Sequence, residues 1–297
     1  MATYTNLNIA RLADGALEAF VKALLPLNTF SRSYSPESMG RARGNAVLVP
    51  LVGTLTATTF GGTYAVCGGT KSVITVTINK HKVVHVGQTD LDALNNSESS
   101  LDSLSAQAGA ALGQMVVEEV LTLVTTANFG AAGSAVASTA LDVAGLRALN
   151  LALNQANAPR EMRGYIMDVV GMDALLAVTN FVQAHMFADN AVLREGRVMR
   201  AIGNDIYTVN GSFVAANSIN LFLAHPSAIA VAMRYLQPQN PEEYTDARAV
   251  ADPRTGATFG IRDMFDPLTG TRYVALEANF GYAVGISNGA RILKRTD

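Results

Sequence analysis

The chain has 297 residues and a formal net charge of −2, and 49% of its residues are hydrophobic while only 15% are charged. Typical soluble proteins carry about 25% charged residues, and a lower fraction is expected where much of the surface is buried in interfaces. Nearly balanced charge excludes a general attraction to nucleic acid. No apolar run approaches the roughly 18 residues of a transmembrane helix, and the N-terminal residues lack the basic start and apolar block of a signal peptide. With a single cysteine, Cys67, these features predict a soluble protein of a reducing cytoplasm.

The N-terminal quarter predicts one helix followed by a two-stranded arm. Apolar residues recur at helical spacing over 7–25, and the helix should end at Pro26. After a polar, irregular segment, two alternating stretches at 47–60 and 73–86 flank a glycine-rich tip at 61–69. An isolated hairpin is marginal in water, and its open edges must be covered. We therefore expect the arm to lie across a second copy of the chain.

One long helix is predicted over 99–126. Its apolar residues follow each other at intervals of three, four and one, and the polar cluster before it has residues that cap helices. At 1.5 Å per residue this helix should be roughly 36 Å long. It also carries a stripe of small residues that would let another backbone approach closely: Ala106, Gly109, Ala110 and Gly113.

The second half of the chain predicts an α/β lobe followed by strands. The lobe should contain helices over 141–156 and 172–184, strands over 165–169, 205–210 and 221–224, and a short helix after Pro226. The turn Asp-Pro-x-Thr-Gly occurs twice, at 252–256 and 266–270. Proline and glycine at these positions predict two tight reversals, and the segments 258–261 and 272–286 around them read as strands.

Three motifs in the chain resemble chemical sites, and none predicts a catalytic, cofactor or metal site. The pattern G-x-S-x-G at 285–289 has no histidine after it, since the last one is His225. The segment 69–72 resembles a phosphate-binding loop, but threonine separates its glycine from its lysine. His81 and His85 would stand roughly 13 Å apart on a strand, which is too far for one metal ion. The sequence thus predicts no enzyme.

Three charged or reactive groups are read as structural. Cys67 is a residue of the arm tip with no base nearby in sequence. The pair Glu118 and Glu119 predicts a solvated face or a salt bridge to another subunit. Arg194, Arg197 and Arg200 favour salt bridges at a subunit edge over a bound phosphate.

The order of these parts resembles the major capsid proteins of tailed bacteriophages, which have the Hong Kong 97-type shell fold. The resemblance covers nearly the whole chain and rests on order and spacing, with no motif of catalytic specificity. The matching segments are an N-terminal arm with its entry to the loop (32–34 and 40–50), a return strand (72–89), a spine helix (99–126), a strand entry in the axial lobe (203–210) and a near-terminal strand (276–284).

The resemblance implies an α+β fold with four parts. These are an N-terminal arm at 1–45, an extended loop at 46–89, a peripheral domain at 90–159 and 236–284, and an axial domain at 160–235 and 285–297. The implied function is that of a head subunit that self-assembles into pentamers and hexamers around double-stranded DNA, without sequence-specific DNA binding. The implied partners are copies of the chain, a separate scaffolding protein, a portal and, as a further option, a decoration protein.

Contacts between copies are expected on the arm and on arginines near the two proline–glycine turns, which the resemblance places in a peripheral-domain loop that meets neighbours around threefold positions. The candidates are Arg41, Arg43, Phe60, Tyr64, Cys67, Lys71, Arg254, Arg262 and Arg272. Some relatives join subunits through a lysine–asparagine bond, but nothing in the chain identifies a partner for Lys71. Two alternatives stay open: an encapsulin-type compartment that packages enzymes, and an enzyme whose site in 160–235 is unrecognised.

Overall fold

The computed structural model of the chain describes residues 9–29, 31–34, 45–52, 59–62, 71–89, 99–178, 200–209, 219–252 and 255–296. In these parts the helices are α1 (Ile9–Ala23), α2 (Ser99–Leu121), α3 (Thr126–Phe129), α4 (Val143–Gln155) and α5 (Val169–Ala177). The strands are β1 (Ser31–Tyr34), β2 (Ala46–Val52), β3 (Lys71–Thr77), β4 (Lys80–Thr89), β5 (Gly164–Met167), β6 (Arg200–Ala201), β7 (Asn204–Thr208), β8 (Ile219–Ala224), β9 (Ile229–Met233), β10 (Asp246–Ala251), β11 (Thr258–Asp266), β12 (Thr271–Val284) and β13 (Ala290–Lys294).

The two N-terminal helices pack against each other at very short range. The small-residue stripe of α2 makes this possible, because a Cβ added at Gly109 would overlap the carbonyl oxygen of Ala16 in α1. A Cβ at Gly113 would lie 2.6 Å from that of Ala23. The predicted close approach of a backbone is thus confirmed, and the approaching backbone is the chain's own first helix.

The larger sheet is built around β12, the longest of the described strands. Its strands follow the order β1-β9-β12-β11-β10, and β4 pairs with β12 as well. β4 and β9 share one side of β12, with β4 paired to Thr271–Phe280 and β9 to Phe280–Val284. The α1–α2 pair covers this sheet, and the ring of Phe20 in α1 packs at a tilt of 54° against that of Phe259 in β11, with 5.1 Å between ring centroids.

The smaller sheet has the order β13-β8-β5-β7-β6. Its middle strands β5 and β8 are buried at every position, as expected for strands covered on both faces. Asp142 and Asp168 cap α4 and α5 by accepting hydrogen bonds from Gly145 and Gly171. The buried Tyr165 of β5 donates its hydroxyl to the carbonyl of Leu146 in α4.

The predicted arm is divided between two sheets, which corrects the reading of 73–86 as one arm strand. β2 and β3 form a separate two-stranded sheet, whereas β4 belongs to the larger sheet. The break follows from a close approach at the turn between β3 and β4, because a Cβ at Gly281 of β12 would overlap the carbonyl of Thr77. The inner face of the β2–β3 hairpin packs on the chain's own β9 through Val47, Val49, Val76, Ile78, Ala230 and Ala232.

The prediction of a short helix after Pro226 is wrong, because residues Ile229–Met233 form strand β9. All five residues of β9 are buried. It is bonded on one side to β1 in parallel and on the other to β12 in antiparallel fashion. A short apolar run does not separate strand from helix by its own pattern, so these two neighbours decide its structure.

The other predicted elements are confirmed in type, with shifted ends. The long helix ends at Leu121, five residues before its predicted end at Thr126. The helix predicted over 172–184 begins earlier, at Val169, and residues 179–184 lie outside the described parts. The four-part domain division stays a prediction, and two elements do not follow it. β9 falls in the predicted axial range but belongs to the larger sheet, and α4 falls in the predicted peripheral range but packs against β13 of the smaller sheet.

Candidate subunit-contact surfaces

The repeated Asp-Pro-x-Thr-Gly turns are tight reversals, as predicted. In the first, the Asp252 carboxylate accepts hydrogen bonds from the amide and hydroxyl of Thr255, at 3.2 and 2.6 Å. In the second, the Asp266 carboxylate accepts from the Leu268 amide and the Thr269 hydroxyl. The hydrogen bond from Thr269 is the main cause that lowers the pKa of Asp266.

The second turn presents apolar surface at the end of the β11–β12 hairpin. Leu268 is 94% exposed and Phe265 is 50% exposed. Gly270 closes the turn with a φ of 61°, a value that favours glycine. A leucine held almost wholly in water by an ordered turn is an unfavourable arrangement for an isolated molecule and a suitable one for a contact between molecules.

The two candidate arginines of this region are engaged within the subunit. Arg272 donates to both carboxylate oxygens of the fully buried Asp263, and this hydrogen bonding raises the pKa of Arg272. Arg262 pairs with Glu277 at 2.8 Å, and its guanidinium lies 5.4 Å from the ring centroid of Tyr244. Both arginines therefore tie β11 to its neighbours, and their role in subunit contacts stays a prediction.

A cluster around Glu119 joins the long helix to the larger sheet. Its carboxylate accepts from Lys80 at 2.8 Å and from Lys82 at 3.0 Å, both on β4. Tyr282 of β12 donates to the same carboxylate at 3.3 Å. Hydrogen bonds from Lys80 and then Lys82 lower the pKa of Glu119 to about 2.

The acidic pair at 118–119 predicted a solvated face or a salt bridge to another subunit, whereas Glu119 has its partners inside the chain. A signal for this cluster was present, because Lys80 and Lys82 are two residues apart and so lie on one face of a strand. What the pattern could not show is that this face of β4 meets α2.

The predicted strand placement of the two histidines is confirmed, since both lie on β4. His81 contacts the carboxylate of Glu277 at 3.1 Å. Among the described residues, no group of three or more His, Cys, Asp or Glu is placed to hold a metal ion. In the same parts of the chain, no helix is long and apolar enough to cross a bilayer.

A cleft of about 690 Å³ separates the end of the α1–α2 pair from the β6–β7 edge of the smaller sheet. Lys22 and Glu118 line its helical side, and Arg200, Asp205 and Tyr207 line its strand side. The described residues of its lining mix charges of both signs with apolar side chains, without a convergent set of catalytic groups.

Comparison with known proteins gives a match in structure where the sequence alone gives none. No family model matches the sequence, and no curated protein matches it. A structure from Mycobacterium phage Che8 matches with a TM-score of 0.56 and 18% identity over 89% of each chain. The capsid structure of the cyanophage P-SCSP1u matches with a TM-score of 0.55 and 16% identity over 92% of this chain and 88% of that one.

The chain has the Hong Kong 97-type fold. A virus-like particle from Pyrococcus furiosus also matches, with a TM-score of 0.52 and 12% identity over 96% of this chain and 98% of that one. Matches that span both chains almost completely confirm the α+β class and the order of parts that the sequence resemblance implied.

In the Hong Kong 97-type fold of this chain, α2 is the spine helix and the β2–β3 hairpin leads into the extended loop. Of the candidate contacts on that loop, Phe60 is 64% exposed and Lys71 begins β3. Five other candidates lie outside the described residues: Arg41, Arg43, Tyr64, Cys67 and Arg254. The outer face of the hairpin exposes two large apolar side chains, Leu48 at 47% and Val73 at 58%.

Proposed function

We propose that this chain is the structural subunit of an icosahedral bacteriophage head, in which copies close into pentamers and hexamers that enclose a double-stranded DNA genome. The observation that carries the proposal is the extent of the structural match, because the fold agrees with a cyanophage capsid structure over about nine-tenths of both chains (92% and 88%). The protein is then a component of the virion.

The surface supports the same proposal on physical grounds. Large apolar side chains are exposed on separate parts of the molecule, among them Leu268 on the β11–β12 turn, Val73 on the hairpin and Phe60 near the loop tip. These side chains are the candidate points of contact between copies. A shell needs several contacts on different faces of each subunit, since contacts between unlike patches generate rings. Each contact can be weak, because many act together in the closed assembly.

The charge of the chain suits a container. A net charge of −2 gives the inner wall no strong attraction for DNA, whose binding depends on neutralised phosphates. We propose accordingly that the genome is enclosed without sequence-specific contacts. A separate scaffolding protein, a portal and, as a further option, a decoration protein complete the proposed partners.

A protein compartment of the encapsulin type is the second candidate. It is favoured by the match to the virus-like particle from Pyrococcus furiosus, which covers 96% of this chain. A compartment assembles from its subunit alone and encloses proteins, whereas a phage head assembles on a scaffold and encloses DNA. An enzyme with a site in 160–235 is the third candidate, and it would be a stable monomer with turnover.

The deciding experiment is assembly of the purified chain, alone and co-expressed with its genomic neighbours, followed by gel filtration and electron microscopy. We expect megadalton shells whose yield depends on a co-expressed scaffolding protein. Closed shells from the chain alone, with bound cargo protein, would establish the compartment instead. A monomer under every condition would contradict both shell proposals.

A further inference from the structure

Two exposed apolar residues are held in backbone conformations that their side chains disfavour. Met162 has a φ of 58° and is 74% exposed, and Ile202 has a φ of 50° and is 41% exposed. Non-glycine residues rarely adopt such values, and for a β-branched residue such as isoleucine they are a true outlier. Each site therefore combines backbone strain with apolar surface in water, and both features are unfavourable in the isolated chain.

Both residues lie at the same end of the smaller sheet. Strands β5 and β7 run parallel, and Gly164 is paired with Asp205. Met162 lies in the turn before β5, two residues ahead of Gly164. Ile202 is the first residue of the two-residue turn that joins β6 to β7, with Gly203 as the second. That turn has positive φ at both positions, for which asparagine followed by glycine is the preferred sequence.

Charged residues of both signs surround the two apolar side chains. Arg160 and Glu161 directly precede Met162, and Arg200 and Asp205 lie on either side of Ile202 in the β6–β7 hairpin. All four are exposed. Arg200 and Asp205 are 3.8 Å apart, with side chains 69% and 60% exposed. An exposed pair at that separation is weak, so either member can take a new partner at little cost. These four residues form a charged rim around the two apolar side chains. The rim has zero net charge, so its positive and negative groups can pair with those of the same rim on a second copy of the chain.

We propose that Met162 and Ile202 form an apolar contact with a second copy of this chain, and that the mixed rim sets the register of that contact. This surface is called the strained patch. An apolar centre within a polar, charged rim is the usual anatomy of a protein interface. The proposal rests on the proposed function and deepens it, because it assigns one of the contacts that close the shell.

The test uses substitutions that improve the isolated subunit while removing the contact. Asparagine tolerates the left-handed region, so Met162→Asn and Ile202→Asn keep the backbone and remove the apolar surface. We expect the melting temperature of the unassembled subunit to stay the same or rise in both variants. Particle yield should fall by about tenfold or more, because the lost contact recurs in every copy.

The control is Leu151→Gln on α4, where leucine is 58% exposed in a regular helix. It removes a comparable amount of exposed apolar surface from the same lobe and should leave particle yield within about twofold of wild type, since isolated surface changes have small effects. Wild-type yields from both asparagine variants would overturn the proposal, as would an equal loss in the control. In either case the wild-type chain would still form particles. Failure of this contact is therefore distinguishable from failure of the proposed function.

A second measurement detects the contact directly. Met162→Cys subunits and Ile202→Cys subunits are assembled together, each in a Cys67→Ser background that removes the single native cysteine. A short bifunctional maleimide should then join different chains in particles and leave unassembled subunits uncoupled. Particles that form but yield no coupled chains would contradict the contact.

Discussion

At the scale of single residues, Glu119 shows how one carboxylate connects three elements. It receives hydrogen bonds from Lys80 and Lys82 of β4 and from Tyr282 of β12, while its own backbone belongs to α2. A pKa lowered from 4.5 to about 2 means that folding favours the charged form. The resulting stability is present above pH 4.5 and is lost as the pH falls through about 2.

Replacing this carboxylate should reduce stability in a pH-dependent way. Glu119→Gln is expected to lower the free energy of unfolding by about 1–3 kcal/mol at pH 7, a range that allows for solvent screening of the partly exposed lysines. The difference from wild type should shrink as the pH falls from 4.5 to about 2, because the wild-type group then becomes neutral as well. Urea unfolding of the unassembled subunit across this pH range measures it.

Glu118→Gln is the matched control for that experiment. Glu118 is the preceding residue of the same helix and lines the cleft instead of the β4 cluster. Its substitution should change the unfolding free energy by less than about 0.5 kcal/mol, as is usual for surface changes. A pH-independent loss in Glu119→Gln, or an equal loss in the control, would contradict the assigned role.

At the scale of elements, the spine helix depends on how closely α1 approaches it. The 23 residues of α2 form a rod of about 34 Å, at 1.5 Å per residue. Gly109 and Gly113 have no Cβ, so the backbone of α1 can come close to that of α2. The large side chains of Phe20 and Leu112 fill the space beside these glycines. A helix of this length braced along one side is suited to act as a strut in a shell.

Gly109→Ala should separate the two helices. Its new Cβ would overlap backbone of Ala16, which cannot move aside as a flexible side chain can, so we expect a loss of about 2 kcal/mol or more. Gly15→Ala in α1 is the control, since the nearest atom to its Cβ would be the Ser105 hydroxyl at 3.8 Å. That substitution should stabilise by about 0.5–1 kcal/mol through helix propensity. Thermal unfolding of both variants tests the difference, and equal effects would refute it.

At the scale of the whole molecule, assembly should depend on projections that the fold itself does not need. Leu268 makes this separation clear, because it is 94% exposed at a turn held by its own hydrogen bonds. Leu268→Asp should leave the melting temperature of the subunit unchanged and lower particle yield by about tenfold or more, since a charge would enter an apolar contact. Leu268→Met, which keeps the apolar character, should assemble as wild type does. Assembly of the aspartate variant at wild-type yield would exclude this turn from the shell contacts.

The tip of the extended loop gives a second test at this scale. Deleting residues 61–69 should abolish particles while the subunit stays folded. The hairpin base supports the second part, because Val49 and Val76 are fully buried and pack near Ala230 and Ala232 of β9. Circular dichroism and gel filtration of the deletion variant check both parts. Particles at wild-type yield would show that the loop is dispensable.

The arm illustrates where sequence reasoning stopped. Its alternating pattern predicted strands at 47–60 and 73–86. The structure confirms strand up to Val52 in the first stretch, whose residues 53–58 lie outside the described parts, and two strands across the second. The pattern contained no information on which sheet each strand joins. The hairpin base was expected to need a neighbouring copy, and it finds partners in β9 of its own chain instead. β4 pairs with β12, nearly 200 residues further along the chain, and such a pairing leaves no local signal.

Local physical chemistry explains what the sequence by itself determined: the long α2 from its 3.6-residue apolar period, the strands from alternation, the close helix approach from Gly109 and Gly113, and both turns from proline and glycine. Each of these depends on neighbours within a few residues. Only the tertiary structure decided that β9 is a strand, that Glu119 meets Lys80 and Lys82, and that Met162 and Ile202 adopt strained conformations at the same end of the smaller sheet. These features depend on groups distant in sequence, whose contacts exist only after the chain has folded.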